Sequence, residues 1–109
     1  MADVLGAFEQ AVLLAVLRLR EHAYGRGILH EVQERLEREI SAGAVYATLD
    51  RLEAKGFAGS KVAPGTAARG GRTRRYYHVS SAGLRALAEA KAAIDNIWRE
   101  VPWPLKSRA

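Results

Sequence analysis

Apolar residues recur at helical spacing in four stretches of the chain, and the first stretch, residues 7–20, is apolar on nearly every side. Phe8, Val12, Val16 and Leu19 form one stripe, whereas Leu13, Leu14 and Leu17 lie off that stripe. A helix that is apolar on several sides is covered on several sides. In so short a chain the pattern favours contact with a second subunit, and a single deeply buried core helix is the alternative.

Two further helices are predicted in close succession. The first opens at residues 24–27 (YGRG) and carries apolar residues at four-residue spacing from Ile28 to Leu36. The second, over residues 41–55, begins at Ser41, whose side chain can cap the first turn, and ends at Gly56, which can adopt a left-handed backbone. Two amphipathic helices joined by a tight connection are typical of a helix-turn-helix, although this spacing alone is common.

The helix over residues 41–55 has one apolar side and one bare side. Spacing of about 100° per residue places Ala42, Val45, Leu49 and Leu52 together, with Ala44, Ala47, Arg51 and Lys55 opposite and Tyr46 between the two sides. Small residues let a helix approach base edges in a major groove about 12 Å wide. An ordinary surface helix is the alternative. The residues predicted to contact DNA here are Ser41, Ala44, Tyr46, Ala47, Arg51 and Lys55.

A β-hairpin is predicted after these three helices. Residues 57–62 and 73–79 carry β-branched and aromatic side chains, and they flank residues 63–71, whose Pro and Gly content opposes regular structure. Three helices followed by a hairpin describe a winged helix-turn-helix of a mainly α (α+β) class. In that architecture the hairpin tip can reach phosphates or an adjacent minor groove.

The surplus positive charge is confined to the hairpin. The chain has 17 Lys and Arg against 12 Asp and Glu, a net charge of +5. Residues 57–79 hold five of the basic residues and no acidic one, so the remaining 17 − 5 = 12 basic residues balance the 12 acidic ones. These five are Lys61, Arg69, Arg72, Arg74 and Arg75, and the four arginines are predicted DNA contacts. An acid-free basic segment favours a polyanion partner over a merely solvated charge run.

A long last helix is predicted from Ser80-Ser81, which can cap it, to about Val101, where Pro102 and Pro104 prevent continuation. Its apolar stripe consists of Leu84, Leu87, Ile94, Trp98 and Val101. Such a stripe suits pairing between subunits, and packing back onto its own domain is the alternative. The predicted organisation is a DNA-binding domain over residues 1–79, a dimerisation helix over 80–102 and a loose tail over 103–109.

The sequence contains no complete catalytic motif and no apolar run long enough to span a membrane. The chain has no cysteine, and His30-Glu31-Val32-Gln33-Glu34 lacks the second histidine of a zinc-protease helix. The glycines of residues 25–27 and 69–72 complete neither a dinucleotide loop nor a P-loop. The longest apolar run, residues 11–17, falls far short of the roughly 20 residues that cross a bilayer. We expect a cytoplasmic protein that is not an enzyme, with no cofactor, metal or membrane partner.

The chain resembles the PadR family of bacterial transcription regulators over nearly its whole length. The matching stretches are residues 8–17 (FEQAVLLAVL), 23–25 (AYG), 43–56 (GAVYATLDRLEAKG), 69–77 (RGGRTRRYY) and 80–83 (SSAG). The family commonly has Thr where Ser81 stands, a change that preserves a capping hydroxyl. The resemblance implies a homodimeric winged-helix protein that binds a near-palindromic operator in double-stranded DNA, usually as a repressor.

The resemblance also favours the short subgroup that has a single C-terminal helix. In that subgroup the first and last helices form the dimer, and some relatives bind flat aromatic compounds between the subunits against a tryptophan of the last helix. This implies a small aromatic effector contacting Trp98, although a Trp at helical spacing also suits a core. The predicted dimer contacts are Phe8, Leu13, Leu17, Leu84, Leu87, Ile94, Trp98 and Val101. A winged-helix protein-interaction module that binds an acidic partner instead of DNA is the alternative function.

Overall fold

A computed structural model of the chain describes residues 4–107 and has the predicted winged helix-turn-helix architecture. Its helices are α1 (Ala7–Leu19), α2 (Gly25–Leu36), α3 (Ala42–Ala54) and α4 (Ser81–Trp98), and its strands are β1 (Ala58–Ala63) and β2 (Arg74–Val79). Short 3₁₀ turns occupy Arg20–His22 and Ala67–Arg69. The outer ends of the predicted first domain and of the predicted tail, residues 1–3 and 108–109, lie outside the described residues. Within residues 4–107 no helix combines the length and apolarity needed to cross a membrane.

The core lies where α1, α2 and α3 meet. Its fully buried side chains include Val12 and Leu13 from α1, Ile28 and Val32 from α2, and Val45, Leu49 and Leu52 from α3. Burying one such side chain contributes about 1.5–3 kcal/mol. The prediction that Leu13 contacts a second subunit is wrong, because Leu13 is completely buried within its own chain. It neighbours Val12 in sequence and widens the buried stripe of α1 by one position.

Helix α3 begins and ends as its sequence predicts. The Ser41 hydroxyl accepts a hydrogen bond from the Ala44 amide at 3.1 Å, which satisfies one of the free donors of the first turn. Gly56 has a φ of +79°, the left-handed backbone that terminates helices. Ala42, expected on the core side, is exposed instead, because it lies in the first turn beyond the reach of the neighbouring helices.

Strands β1 and β2 form a two-stranded antiparallel sheet whose pairs run from Ala58 and Val79 to Ala63 and Arg74. The sheet is attached to the helical core by a bridge between Tyr24 and Tyr76. The 3₁₀ turn in the hairpin tip corrects the expectation that residues 63–71 hold no regular structure. A single tight turn fits there because the glycines at positions 70 and 71 have positive φ and let the chain reverse after it.

Helix α4 ends at Trp98, earlier than predicted, and Val101 lies beyond it. The backbone leaves the helix at Arg99, which has a ψ of 133°. Pro102 disfavours helical backbone at Val101 and has no N–H to donate to the Trp98 carbonyl, so the helix cannot continue to Val101. In the predicted tail, Trp103 contacts Trp98 edge to face, with 5.5 Å between ring centroids.

The first turn of α4 is fixed against the end of α3. The Ser80 hydroxyl donates a hydrogen bond to the Gly56 carbonyl at 2.6 Å and accepts one from the Gly83 amide at 3.0 Å. The Ser80 amide donates to the Phe57 carbonyl at 3.0 Å. A Cβ atom at Gly83 would lie 2.1 Å from that same carbonyl oxygen, so only glycine fits at this crossing.

We therefore predict that Gly83→Ala lowers the free energy of unfolding by about 1–3 kcal/mol, the usual cost of overpacking a buried contact. The nearest atom is the backbone carbonyl oxygen of Phe57, so rotating a side chain cannot relieve the clash. Urea unfolding followed by circular dichroism measures the change. Gly43→Ala is the matched control, since a Cβ there meets only the Ser41 hydroxyl oxygen at 4.0 Å. Equal stability of the two variants would contradict the assignment.

Candidate DNA-binding surface

An open cleft of ≈ 720 Å³ lies between the hairpin, or wing, and the beginnings of α2 and α3. The described residues that line it are Tyr24, Gly25, Arg26, Tyr46, Ala68, Arg69, Arg72, Thr73, Arg74, Arg75 and Tyr77. None of these side chains is acidic, and five are arginines. The cleft thus brings together Tyr46 and all four wing arginines that the sequence predicts as DNA contacts, in a setting that attracts phosphate groups.

Two of the wing arginines also hold the shape of the tip. Arg69 donates to the Pro64 carbonyl, and Arg72 Nε donates to the Arg69 carbonyl at 3.1 Å. Each guanidinium carries five N–H donors, so bonds to one or two carbonyls leave donors for a phosphate oxygen. These contacts bring both positive charges close to the same part of the tip.

Arg75 connects the wing to α3 through a chain of hydrogen bonds. Its Nη1 donates to the Ser60 hydroxyl at 2.8 Å, and that hydroxyl donates to Glu53 Oε2 at 3.0 Å. Ser60 lies on β1 and Glu53 on the last turns of α3. The angle of the wing relative to α3 is therefore fixed by side chains as well as by the short connection between them.

Arg74 is held differently, by an aromatic ring. Its guanidinium carbon lies 3.9 Å from the centroid of the Tyr24 ring, a cation–π contact. The Tyr24 ring in turn meets the Tyr76 ring edge to face, at 6.0 Å and 67°. Arg74 and Tyr76 are alternate residues of β2 and point to the same face of the sheet.

Tyr46 reaches the cleft across a glycine. It is 43% exposed, and a Cβ atom added at Gly25 would lie 2.4 Å from its Cε1 atom. The ring therefore occupies the space that any other side chain at position 25 would fill. This places the Tyr46 hydroxyl beside the start of α2.

Arg51 and Lys55 lie outside the cleft, toward α1. Lys55 Nζ forms an ion pair with Glu9 Oε2 at 2.9 Å, and Arg51 Nη2 donates to Thr48 Oγ1 at 2.9 Å. The hydrogen bond from Lys55 lowers the pKa of Glu9, helped by the Gly6 amide and the charge of Arg51 and opposed by burial. Ala44 and Ala47 are exposed on α3 as predicted.

Sequence reasoning missed the α2 side of the cleft, namely Tyr24, Gly25 and Arg26. Their sequence signals are the match of residues 23–25 to the family and an aromatic-glycine-arginine run at a helix start, with Arg26 two residues before the buried Ile28. That run predicts the beginning of a helix and does not say what lies opposite it. The partners come from α3 and β2, which are distant in the chain.

A second, apolar groove of ≈ 350 Å³ separates α1 from α4. It is lined by Gln10, Leu14, Leu17, Leu84, Leu87, Ala88, Lys91 and Ile94. Four of the predicted dimer contacts meet here: Leu17, Leu84, Leu87 and Ile94. Phe8 packs against the core, and Trp98 and Val101 do not line the groove. Leu14, which the sequence places off the buried stripe of α1, belongs to this groove although it was not among the predicted contacts.

Comparison with known proteins agrees with this architecture. Transcriptional regulator Rv3488 of Mycobacterium tuberculosis is 40% identical over 62 residues, which make up 57% of this chain and 54% of that protein. The chain thus aligns with about half the length of this relative. A PadR family transcriptional regulator from Eggerthella lenta has a similar structure, with a TM-score of 0.63 and 30% identity over 79% of this chain and 72% of that one.

A PadR family regulator from Clostridium difficile shares the fold at 24% identity, with a TM-score of 0.66 over 87% of this chain and 97% of that one. The family model described as the Transcriptional regulator PadR-like family matches residues 13–89, well over half of the chain. That range includes α2, α3, the wing and the first half of α4. Members of the family are regulators and not enzymes. The chain therefore belongs to the PadR-like family of transcriptional regulators.

Proposed function

We propose that the protein regulates transcription by binding DNA as a homodimer. Each subunit places α3 in one of two successive major grooves of a near-palindromic operator, roughly one helical turn apart. The observation that carries this proposal is the acid-free arginine cleft directly beside the exposed small residues of α3. A module that binds an acidic protein would need the positive charge, but it would not need the exposed small residues of α3 beside that charge.

The parts of the surface divide between base edges and backbone. Ala44, Ala47 and Arg51 contact base edges in the major groove. Ser41, Tyr46 and the wing arginines Arg69, Arg72, Arg74 and Arg75 contact phosphates, which fix position without reading sequence. Lys55 contacts the DNA backbone with a charge that Glu9 partly compensates, since the two residues form an ion pair in the free protein.

The apolar groove between α1 and α4 supports the homodimer. Leu14, Leu17, Leu84 and Ile94 are each between 39% and 49% exposed in the single chain. A second copy related by twofold symmetry covers these residues with its own α1 and α4, which makes one self-complementary interface. The repressor role rests on the family resemblance: a dimer spanning an operator obstructs access to the duplex beneath it.

A small flat aromatic compound relieves repression in this scheme. Trp98 is 42% exposed at the end of α4 and can stack on a planar ligand between the subunits. Release of DNA requires the ligand to favour a dimer in which the two copies of α3 no longer match successive grooves.

Selection from random DNA duplexes at moderate salt tests the proposal. We expect an enriched near-palindrome that binds two chains per duplex, measured by sedimentation of the labelled complex. The log–log dependence of affinity on salt should have a slope of about −7, because the four wing arginines of each subunit neutralise about eight phosphates per dimer. A failure to enrich any duplex, with an acidic protein bound instead, would replace this function with that of a protein-interaction module.

Arg51→Ala and Arg74→Ala should weaken binding in different ways. Loss of Arg51 should cost about 1–3 kcal/mol on the operator and relax the preference at the base it contacts. Loss of Arg74 should weaken all duplexes alike and make the salt slope less negative, because a phosphate contact disappears. Affinities for the operator and for single-base variants, measured by fluorescence anisotropy at several salt concentrations, separate the two. Identical behaviour of both variants would reject this division of roles.

The effector site can be tested without DNA in a Trp103→Phe background, which leaves Trp98 as the sole tryptophan. Ethidium, a flat aromatic probe, should quench the Trp98 fluorescence on binding. In the otherwise unchanged protein, Trp98→Ala should reduce probe affinity at least threefold while sedimentation still reports a dimer, because stacking is lost but the groove residues remain. Unchanged probe affinity in the Trp98 variant would place the ligand elsewhere.

A further inference from the structure

We infer that Tyr24 and Gly25, at the start of α2, are positioning residues for the binding of one DNA phosphate. Tyr24 positions Arg74, and Gly25 positions Tyr46. This inference rests on the proposed DNA-binding function. Neither residue needs to touch DNA. Tyr24 supports the arginine from the wing, and Gly25 makes room for the tyrosine from α3.

The Tyr24 ring holds Arg74 without neutralising it. Several cations outside the wing are instead fixed by carboxylates: Lys55 pairs with Glu9, and Arg18 and Arg35 both pair with Glu31. A carboxylate occupies N–H donors and cancels the charge that a phosphate would bind. An aromatic face contacts the plane of the guanidinium and leaves the donors at its edge available. Tyr24 is therefore the kind of support that suits an arginine meant for an external anion.

Tyr24 is itself rigidly placed. Its carbonyl accepts a hydrogen bond from the Ile28 amide at 2.9 Å, and its amide donates to the His22 carbonyl at 3.0 Å. Its backbone bridges to Tyr76, and the two rings meet edge to face at 6.0 Å. Since Tyr76 and Arg74 lie on the same face of β2, the strand that fixes the ring also carries the arginine.

Gly25 has the corresponding role for Tyr46. A Cβ at position 25 would lie 2.4 Å from Tyr46 Cε1 and 2.6 Å from its hydroxyl oxygen. The atoms in the way belong to the far end of a half-exposed side chain, so an alanine there would turn the Tyr46 ring out of the cleft and leave the core intact. The missing side chain at Gly25 thus leaves room for the Tyr46 ring in the cleft that Arg74 also lines.

Adjacent residues of α2 therefore set the positions of two phosphate-binding groups that come from different elements. Both Arg74 and Tyr46 line the same cleft, one from the wing and one from α3. Preorganised donors bind more tightly than mobile ones because less conformational freedom is lost on binding. Loss of this support should weaken binding to every duplex alike, because phosphate contacts carry no sequence information.

The test uses the full-length protein, its selected operator and an unrelated duplex, with affinity measured by fluorescence anisotropy across a salt series. Tyr24→Leu should lower the affinity for both duplexes about threefold to tenfold and make the salt slope per dimer less negative by up to about two, one phosphate per subunit. Tyr24→Phe keeps the ring and should bind as the wild type does. The same loss in Tyr24→Phe as in Tyr24→Leu, or no loss in either, would overturn the inference.

Gly25→Ala should likewise weaken binding to both duplexes about threefold or more. Gly27→Ala, on the same helix, is the matched control, because a Cβ there meets its neighbours at an ordinary 3.5–3.6 Å and lies outside the cleft. We expect its affinity to stay at the wild-type level. Equal affinities of the two alanine variants would remove Gly25 from the inference.

Two further measurements keep the result interpretable. In the Arg74→Ala background, Tyr24→Leu should cause little additional loss, since Tyr24 acts through Arg74; full additivity would contradict that route. In the unmodified protein, the Arg74 side-chain protons should show an upfield ring-current shift in the NMR spectrum, a readout that does not depend on any variant folding. Unshifted Arg74 side-chain protons would overturn the contact.

The two proposals fail in distinguishable ways. If the wild-type protein selects no duplex, the proposed DNA-binding function is wrong. If it binds its operator equally well with and without the Tyr24 ring, only this inference is wrong.

Discussion

The arrangement of this molecule depends on the junction where α3 ends and α4 begins. Ser80 bonds to the backbone of both Gly56 and Phe57, and Gly83 lets the α4 backbone approach within van der Waals distance of the Phe57 carbonyl. Since the wing starts immediately after Phe57 and ends immediately before Ser80, the same junction also closes the hairpin. The helix that faces DNA and the helix that faces a partner subunit in our proposal are thus joined at one point by backbone contacts.

Most of the fold could be predicted because its signals are local. Periodicity and the caps at Ser41 and Gly56 predicted the limits of α3 almost to the residue. Two stretches of β-branched and aromatic residues on either side of a segment with Pro and Gly predicted the wing. The error at Leu13 and the overestimated length of α4 have equally local causes. Leu13 lies one position off a stripe that is wider in the structure, and Val101 follows a helix that breaks before its proline.

What could not be predicted is which side chains of separate elements meet. The cation–π contact of Arg74, the close approach of Tyr46 and Gly25, and the ion pair of Lys55 with Glu9 each join residues from separate elements. Periodicity identifies a face of a helix but not what lies opposite it. Charge counting therefore found the basic wing, whereas the helix periodicity that predicted Lys55 as a DNA contact did not show that Glu9 compensates its charge.

The hydrogen-bonded chain from Glu53 through Ser60 to Arg75 has a consequence for how a duplex bound as proposed would be recognised. It fixes the wing at a set angle to α3, so the two parts span a set distance across the sugar-phosphate backbone. The width of DNA grooves varies with sequence, and narrowing or widening them costs elastic energy. Contacts at a set distance favour duplexes whose groove width matches that distance. Base pairs that α3 never touches would therefore affect affinity through the local shape of the DNA.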